Sequence, residues 1–89
     1  FLGCTSLSMA DIPPTVTSIG VQAFSNCENL SMVYIPDSVK FIDENAFMFC
    51  PNLTIKCYEN SYTHKYCINH KISWKTVPMG MDLYNSVIF

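Results

Sequence analysis

Residues 24–46 read FSNCENLSMVYIPDSVKFIDENA, and residues 1–23 read FLGCTSLSMADIPPTVTSIGVQA. Laid over one another, the two stretches align Phe1 with Phe24, Cys4 with Cys27, Leu7 with Leu30, Ile12 with Ile35, Pro13 with Pro36, Val16 with Val39, Ile19 with Ile42 and Ala23 with Ala46, each pair 23 residues apart. Residues 47–69, FMFCPNLTIKCYENSYTHKYCIN, open in the same frame with Phe47, Cys50 and Leu53, and Thr54 comes next where Ser8 and Ser31 stand. Chance produces one shared spacing but not a dozen in one register, so the chain carries an internal repeat. A unit this short cannot enclose a core and must bury its apolar side chains against its neighbours. The pattern predicts an α/β repeat, a solenoid of stacked coils.

Within the second unit, Val33-Tyr34-Ile35 is a β-prone run closed by Pro36, which brings no N–H to a ladder. Val33 and Ile35 share one face of that strand, and Met32 and Tyr34 share the other. Asp43 to Phe47 reads as one or two helical turns, with Asp43 as N-cap. Leu30, Val33, Ile35, Val39, Ile42, Ala46, Phe47 and Cys50 are then expected to line the interior. Each fully buried aliphatic or Phe among them stabilises by roughly 1.5–3 kcal/mol before entropy is counted.

The pattern A-F-x-x-C-x-x-L-x-x-[IV]-x-I-P-x-[ST]-V-x-x-I, matched position by position from Ala23 to Ile42 and from Phe1 to Ile19, resembles the BspA-like leucine-rich repeat family. Ala46 to Leu53 begin a third copy, and CYENSYTHKYCINHKISW (residues 57–74) resembles the segment that closes such arrays at their C-terminal end. The resemblance implies a leucine-rich-repeat solenoid with short parallel strands, short helical turns on the convex side and a C-terminal capping helix. In this reading residues 1–77 hold units 1–23, 24–46 and 47–69 with a cap over 58–77, and 78–89 form a tail. The resemblance also implies an extracellular or cell-surface protein of bacteria or some protists. Its partners are then proteins, host matrix or neighbouring-cell surface proteins among them, bound in adhesion.

The third copy departs from the pattern after Leu53. The 23-residue frame puts Lys56 where Ala10 and Val33 stood, and an inward lysine without a partner is costly. A one-residue change of strand phase, turning Ile55 and Cys57 inward, is the cheaper solution. Ser61-Tyr62 to Lys71 then reads as a helix capped by Asn60 or Ser61, with Tyr62 and Tyr66 at i,i+4 and His70 and Lys71 near its C-terminal dipole. Ile72 to Val77 reads as a last strand ended by Pro78. Such a segment shields the open end of a repeat array. Met79 to Phe89 has no repeat register, and extra strand, onward linker and disorder all remain open for it. The chain begins mid-unit, at the Phe that an Ala normally precedes, so it reads as the C-terminal fragment of a longer repeat protein. Its uncovered first layer is expected to favour a dimer through that end.

Composition narrows the function. The chain has 89 residues, 49% apolar and 13% charged, which suits one folded domain and not a disordered chain. No apolar run approaches the ~20 residues of a membrane helix, and no basic-then-apolar start suggests a signal peptide. A net charge of -2 without any Arg argues against nucleic acid. Five acids against Lys40 in residues 1–55, and four Lys against two acids in 56–89, make a mild polarity typical of solvated faces.

Candidate chemistry is sparse. Cys4, Cys27 and Cys50 form a column of equivalent positions whose side chains lie alongside one another, which suits a ladder of buried thiols better than disulfides. Five Cys leave one unpaired in any internal scheme. His64, Cys67 and His70 with Cys57 lack familiar zinc spacing, and packing is the expected role of Cys67. No nucleophile–base pair, paired carboxylates or glycine-rich phosphate loop stands out, so neither catalysis nor a cofactor is expected. Asn29 and Asn52 begin N-x-S/T triplets at the same repeat position, which the repeat itself explains. Binding is the better lead: Met9, Asp11, Met32 and Tyr34 occupy outward strand positions, and solenoids use such faces to bind proteins. The expectation is a non-catalytic interaction or adhesion module, with a structural spacer presenting another domain as the alternative.

Overall fold

The structure, a computed structural model, describes residues 7–84. Its strands are β1 (Met9–Asp11), β2 (Ser18–Ile19), β3 (Met32–Tyr34), β4 (Phe41–Ile42), β5 (Thr54–Tyr58) and β6 (Ser73–Val77), and α1 (Tyr62–His70) joins the last two. β1, β3, β5 and β6 make one parallel sheet in that order, while β2 and β4 make a second parallel pair. The repeat period appears directly as register. Met9 pairs with Met32, Ala10 with Val33, Asp11 with Tyr34, Ser18 with Phe41 and Ile19 with Ile42. Phe24 and Phe47 stack with ring centroids 5.3 Å apart and planes 3° from parallel. Leu30 and Leu53 are buried, and Leu7 packs against the same core. Phe1 and Cys4 of the first layer lie outside the described residues.

Of the eight interior positions expected from Leu30 to Cys50, seven are buried, and Cys50 is the exception. Cys27 is covered by the Cys50 turn, but the chain after Leu53 runs into β5 and α1 and lays no third turn of this kind on Cys50. Cys50 therefore borders an open recess with Phe47, Phe49 and Pro51.

Asp43 to Phe47 forms hydrogen-bonded turns, not the helical turns expected. The Asp43 carboxylate accepts from the Asn45 N–H at 2.9 Å, and the Asp43 carbonyl accepts from the Ala46 N–H at 3.0 Å. The Ala46 and Met48 carbonyls then turn sideways and accept from Phe24 N–H at 2.8 Å and Asn26 N–H at 2.9 Å in the preceding unit. A helix would direct those carbonyls along its own axis and leave the neighbour's N–H groups unpaired.

The phase change after Leu53 is present. Val33 pairs with Ile55 and Tyr34 with Lys56, an offset of 22 where the preceding pairs use 23. Ser31 N–H and Met32 N–H both reach the Ser8 carbonyl, at 2.8 and 3.4 Å, while Thr54 N–H alone reaches Ser31 at 3.0 Å. One residue is thus missing from the approach to β5. Ile55 and Cys57 point inward and are fully buried.

α1 begins at Ser61, whose hydroxyl accepts from the His64 N–H at 3.2 Å, and ends at Lys71 in the left-handed conformation. The helix packs against β4, β5 and β6. The Tyr62 hydroxyl meets the Ile42 N–H at 3.2 Å, and the Tyr66 hydroxyl donates to the Asp43 carbonyl at 2.8 Å. Two phenols thereby occupy backbone groups along β4 that another strand would otherwise pair. Burial, reinforced by Tyr62, Asp43, Cys67 and Glu44, pushes the Tyr66 phenol up to about 12.

Phe49 and Tyr66 offer direct tests of these contacts. Phe49 is 68% exposed yet holds φ 61°, the conformation its repeat equivalent Asn26 adopts at 63°. Phe49→Asn should therefore stabilise the fold by about 1 kcal/mol, a rise in Tm of roughly 4–8 °C by calorimetry. For Tyr66 the folded chain holds the phenolic proton more tightly than the unfolded chain, so stability is intact below about pH 10 and is lost as pH rises towards 12. Urea unfolding should show that alkaline loss reduced in Tyr66→Phe, which should be about 1 kcal/mol less stable at neutral pH for want of the Asp43 bond.

Candidate interaction surface

Registered residues of a parallel sheet point to the same side, and successive residues to opposite sides. Val33 and Ile55 face the core, so their neighbours form two rows on the other face. One row is Met9, Met32, Thr54 and Ser73; the other is Asp11, Tyr34, Lys56 and Lys75. Met9, Asp11, Met32 and Tyr34, the four residues singled out from the sequence, form a two-by-two block across β1 and β3. Met9 is 52% exposed, Asp11 is exposed, and Met32 and Tyr34 are half-buried.

The second row is partly covered by the chain's own C-terminal stretch. After β6, a turn closed by the Met81 N–H on the Pro78 carbonyl, at 3.1 Å, redirects the backbone. Gly80 sits in that turn at φ 96°, where a side chain would be strained. Residues 81–84 then run across the strand face as a strap. The Tyr58 hydroxyl donates to the Met81 carbonyl at 2.7 Å, and the Tyr84 ring stacks on Tyr34 at 6.3 Å. Leu83 is 1% exposed. Leu83 and Val77 are the described buried apolar residues that stand apart from the continuous core. Val77 pairs with Tyr58 in the ladder and, two residues from Lys75, shares the outer face with it.

The Tyr84 hydroxyl donates to the carbonyl of Ile12, and the ladder explains why that acceptor is free. In the parallel pairing the Ile12 N–H donates to the Tyr34 carbonyl at 2.9 Å, which aims the Ile12 carbonyl at residue 36. Residue 36 is Pro and has no N–H to offer. A buried carbonyl without a partner costs free energy, and the Tyr84 phenol removes that cost. Burial, with Asp11, Tyr58 and Asp82 nearby, raises the phenol's pKa and keeps it a donor.

Lys56 is 7% exposed although it lies on the outer face. Its ammonium lies 5.5 Å from the Tyr34 ring centroid, a cation–π contact. Tyr34 thus carries Lys56 and Tyr84 together. The roles of Leu83 and Tyr84 escaped sequence reading, which left the tail open. The available signals were the Pro36 gap in the ladder and a Leu-Tyr pair a few residues beyond a Gly.

The other candidates serve packing. Cys57 and Cys67 meet between β5 and α1. The Cys67 thiol donates to the Cys57 sulfur, which with Ser61 lowers the Cys57 pKa against the effect of burial. Donating that bond and being buried raise Cys67. His64 accepts from the Asn60 N–H at 3.0 Å and packs on Trp74, while His70 packs on Tyr66 with centroids 4.1 Å apart. No group of three or more His, Cys, Asp or Glu among the described residues is placed to hold a metal ion. Cys50, Cys57 and Cys67 are free thiols, Cys27 is buried, and Cys50 donates to the Phe24 carbonyl at 2.8 Å. Asn29 and Asn52 are exposed, and the Asn52 amide donates to the Glu28 carbonyl at 3.2 Å. No helix among the described residues is long and apolar enough to cross a membrane.

A family model, the BspA type leucine-rich repeat region (6 copies), matches residues 1–84, and the chain belongs to that family. Comparison with curated proteins and with solved structures gives no match. Membership points to a protein-interaction module of a typically non-enzymatic kind, in a family usually found at the surface or outside the cell.

The Pro36 gap makes a local prediction. Tyr84→Phe keeps the ring on Tyr34 but removes the donor to Ile12, at a cost of about 1 kcal/mol in strap closure. Amide exchange at Tyr84, whose N–H is held by Asp82 at 3.0 Å, should speed up roughly fivefold. Exchange at Val33 and Ile35 in the core should stay unchanged.

Proposed function

We propose that the chain is a non-catalytic recognition module, a leucine-rich-repeat solenoid that binds other proteins in adhesion through its strand face. One observation carries the reading: outward side chains from successive strands stand in register, with Met9 beside Met32 at the accessible edge. Such rows offer an extended surface, and exposed Met adapts its shape to a partner at low cost. Asp11 and Tyr34 extend the surface, giving it a charge and an aromatic ring. α1 and β6 act as the cap: the Tyr62 and Tyr66 phenols occupy the free backbone of β4, and β6 takes the free edge of β5. An adhesive role accords with a cell-surface or secreted location, where host matrix or neighbouring-cell proteins are the partners.

A second reading is a structural spacer that carries another domain outward. The strap favours it, since residues 81–84 cover part of the face a partner would need.

Met9→Glu with Met32→Glu separates the two readings, because both side chains lie beyond the strap's contacts. Binding to a panel of immobilised extracellular matrix proteins should fall about tenfold or more, with the thermal melt preserved. Unchanged binding by the variant, or no binding by the wild type, leaves the spacer reading in place.

A further inference from the structure

We infer that the strand face is a seat for an extended segment of another protein that carries a leucine followed by a tyrosine, and that residues 81–84 are this chain's own occupant of it. The inference rests on the recognition reading and supplies the chemistry of the partner.

The seat belongs to the repeats and not to the strap. Its floor is the Tyr34 ring, which takes a tyrosine ring at 6.3 Å. Its polar anchor is the Ile12 carbonyl, left open because Pro36 brings no N–H to the ladder. A phenol hydroxyl on a ring lying over Tyr34 reaches that carbonyl; phenylalanine brings no donor, and a serine hydroxyl falls short. The third anchor is the Tyr58 hydroxyl, which grips a backbone carbonyl two residues before the leucine and so accepts any residue there. Between these anchors Leu83 is almost wholly enclosed, outside the main core.

The strap contributes little else. Met79 and Met81 are 62% and 51% exposed, and the Asp82 carboxylate is engaged with the strap's own Tyr84 N–H. Recognition therefore reduces to one backbone carbonyl, one leucine and one tyrosine. Three anchors hold a short segment only modestly, and segments with few contacts open far more readily than the core. The strap stays seated through its tether, the 78–81 turn, which supplies an effective concentration in the millimolar range. A longer partner segment that uses the same anchors and also runs over Met9 and Met32 gains contacts the strap lacks, and displaces it.

The test uses the full chain, isotope-labelled for NMR, and a synthetic peptide with the sequence of residues 78–84 at millimolar concentration. In Leu83→Ala with Tyr84→Ala the seat is empty, and the peptide should shift the signals of Asp11, Tyr34 and Lys56. The wild type, with its seat filled, should respond at least several-fold more weakly. A peptide ending in Phe should bind the emptied chain roughly fivefold more weakly than the Tyr peptide. If the double variant loses its dispersed core signals, Gly80→Val replaces it. That change strains the turn at φ 96° and frees the strap without altering the seat.

The absence of shifts in a folded, emptied chain overturns the inference, as does equal binding of a peptide with Leu and Tyr replaced by Ser and Ala. A wild-type dimer that dissociates on Tyr84→Ala places the strap in a second copy, and overturns the assignment to a foreign segment. Failure of the peptide while Met9→Glu with Met32→Glu still abolishes matrix-protein binding removes this inference and leaves the recognition reading standing.

Discussion

Every turn of this chain depends on lateral pairing with the turn before it. The strands are two to five residues long, too short to stand alone, and the segments between them are turns and not helices, α1 excepted. Backbone groups on both sides of the coil find partners one unit away. Thr54 donates to Ser31 and Ser31 to Ser8 on the sheet side, while Phe24 donates to Ala46 and Asn26 to Met48 on the turn side. The stacked Phe24 and Phe47 rings and the enclosed Leu30, Val33 and Ile35 fill the space between. A 23-residue unit removed from this stack would lose its hydrogen bonds and its apolar cover together, which makes the array cooperative.

The shortened approach to β5 has effects beyond the third unit. Dropping one residue exchanges the two faces of the strand, so Ile55 and Cys57 enter the core and Lys56 moves outward. Lys56 then falls beside Tyr34, where the aromatic ring takes the ammonium. The same strand continues to Tyr58, whose hydroxyl receives the returning C-terminal stretch. A deletion that rescues the core thus also builds half of the outer surface.

That surface is divided. Its Met row is accessible, while the Tyr34 row is held by the chain's own Leu83 and Tyr84. The division stems from proline chemistry. Pro36 ends a strand cleanly and discourages further pairing, but it leaves one acceptor of the preceding strand unpaired. The Tyr84 phenol fills that vacancy within the described chain.

The sequence by itself determined the repeat, its register and nearly all of its interior. Phe, Leu, Val and Ile at fixed spacing have no other way to leave water, and the cost of burying Lys56 alone was enough to locate the phase change. The helix was equally legible, because Ser61, Tyr62 and Tyr66 act through local spacing. Tertiary structure alone decided the rest. Asp43 to Phe47 formed turns because the N–H groups of Phe24 and Asn26 needed carbonyl partners, a demand arising in another unit. Cys50 stayed half-buried because β5 and α1, not another unit of the same kind, succeed its turn. The Tyr84 contact joins residues 72 positions apart: Pro36 marks the open main-chain acceptor in the sequence, but nothing local marks which distant donor fills it. Periodic burial is encoded locally and repeatedly, whereas a single long-range polar contact is encoded once and becomes visible only when the chain has closed on itself.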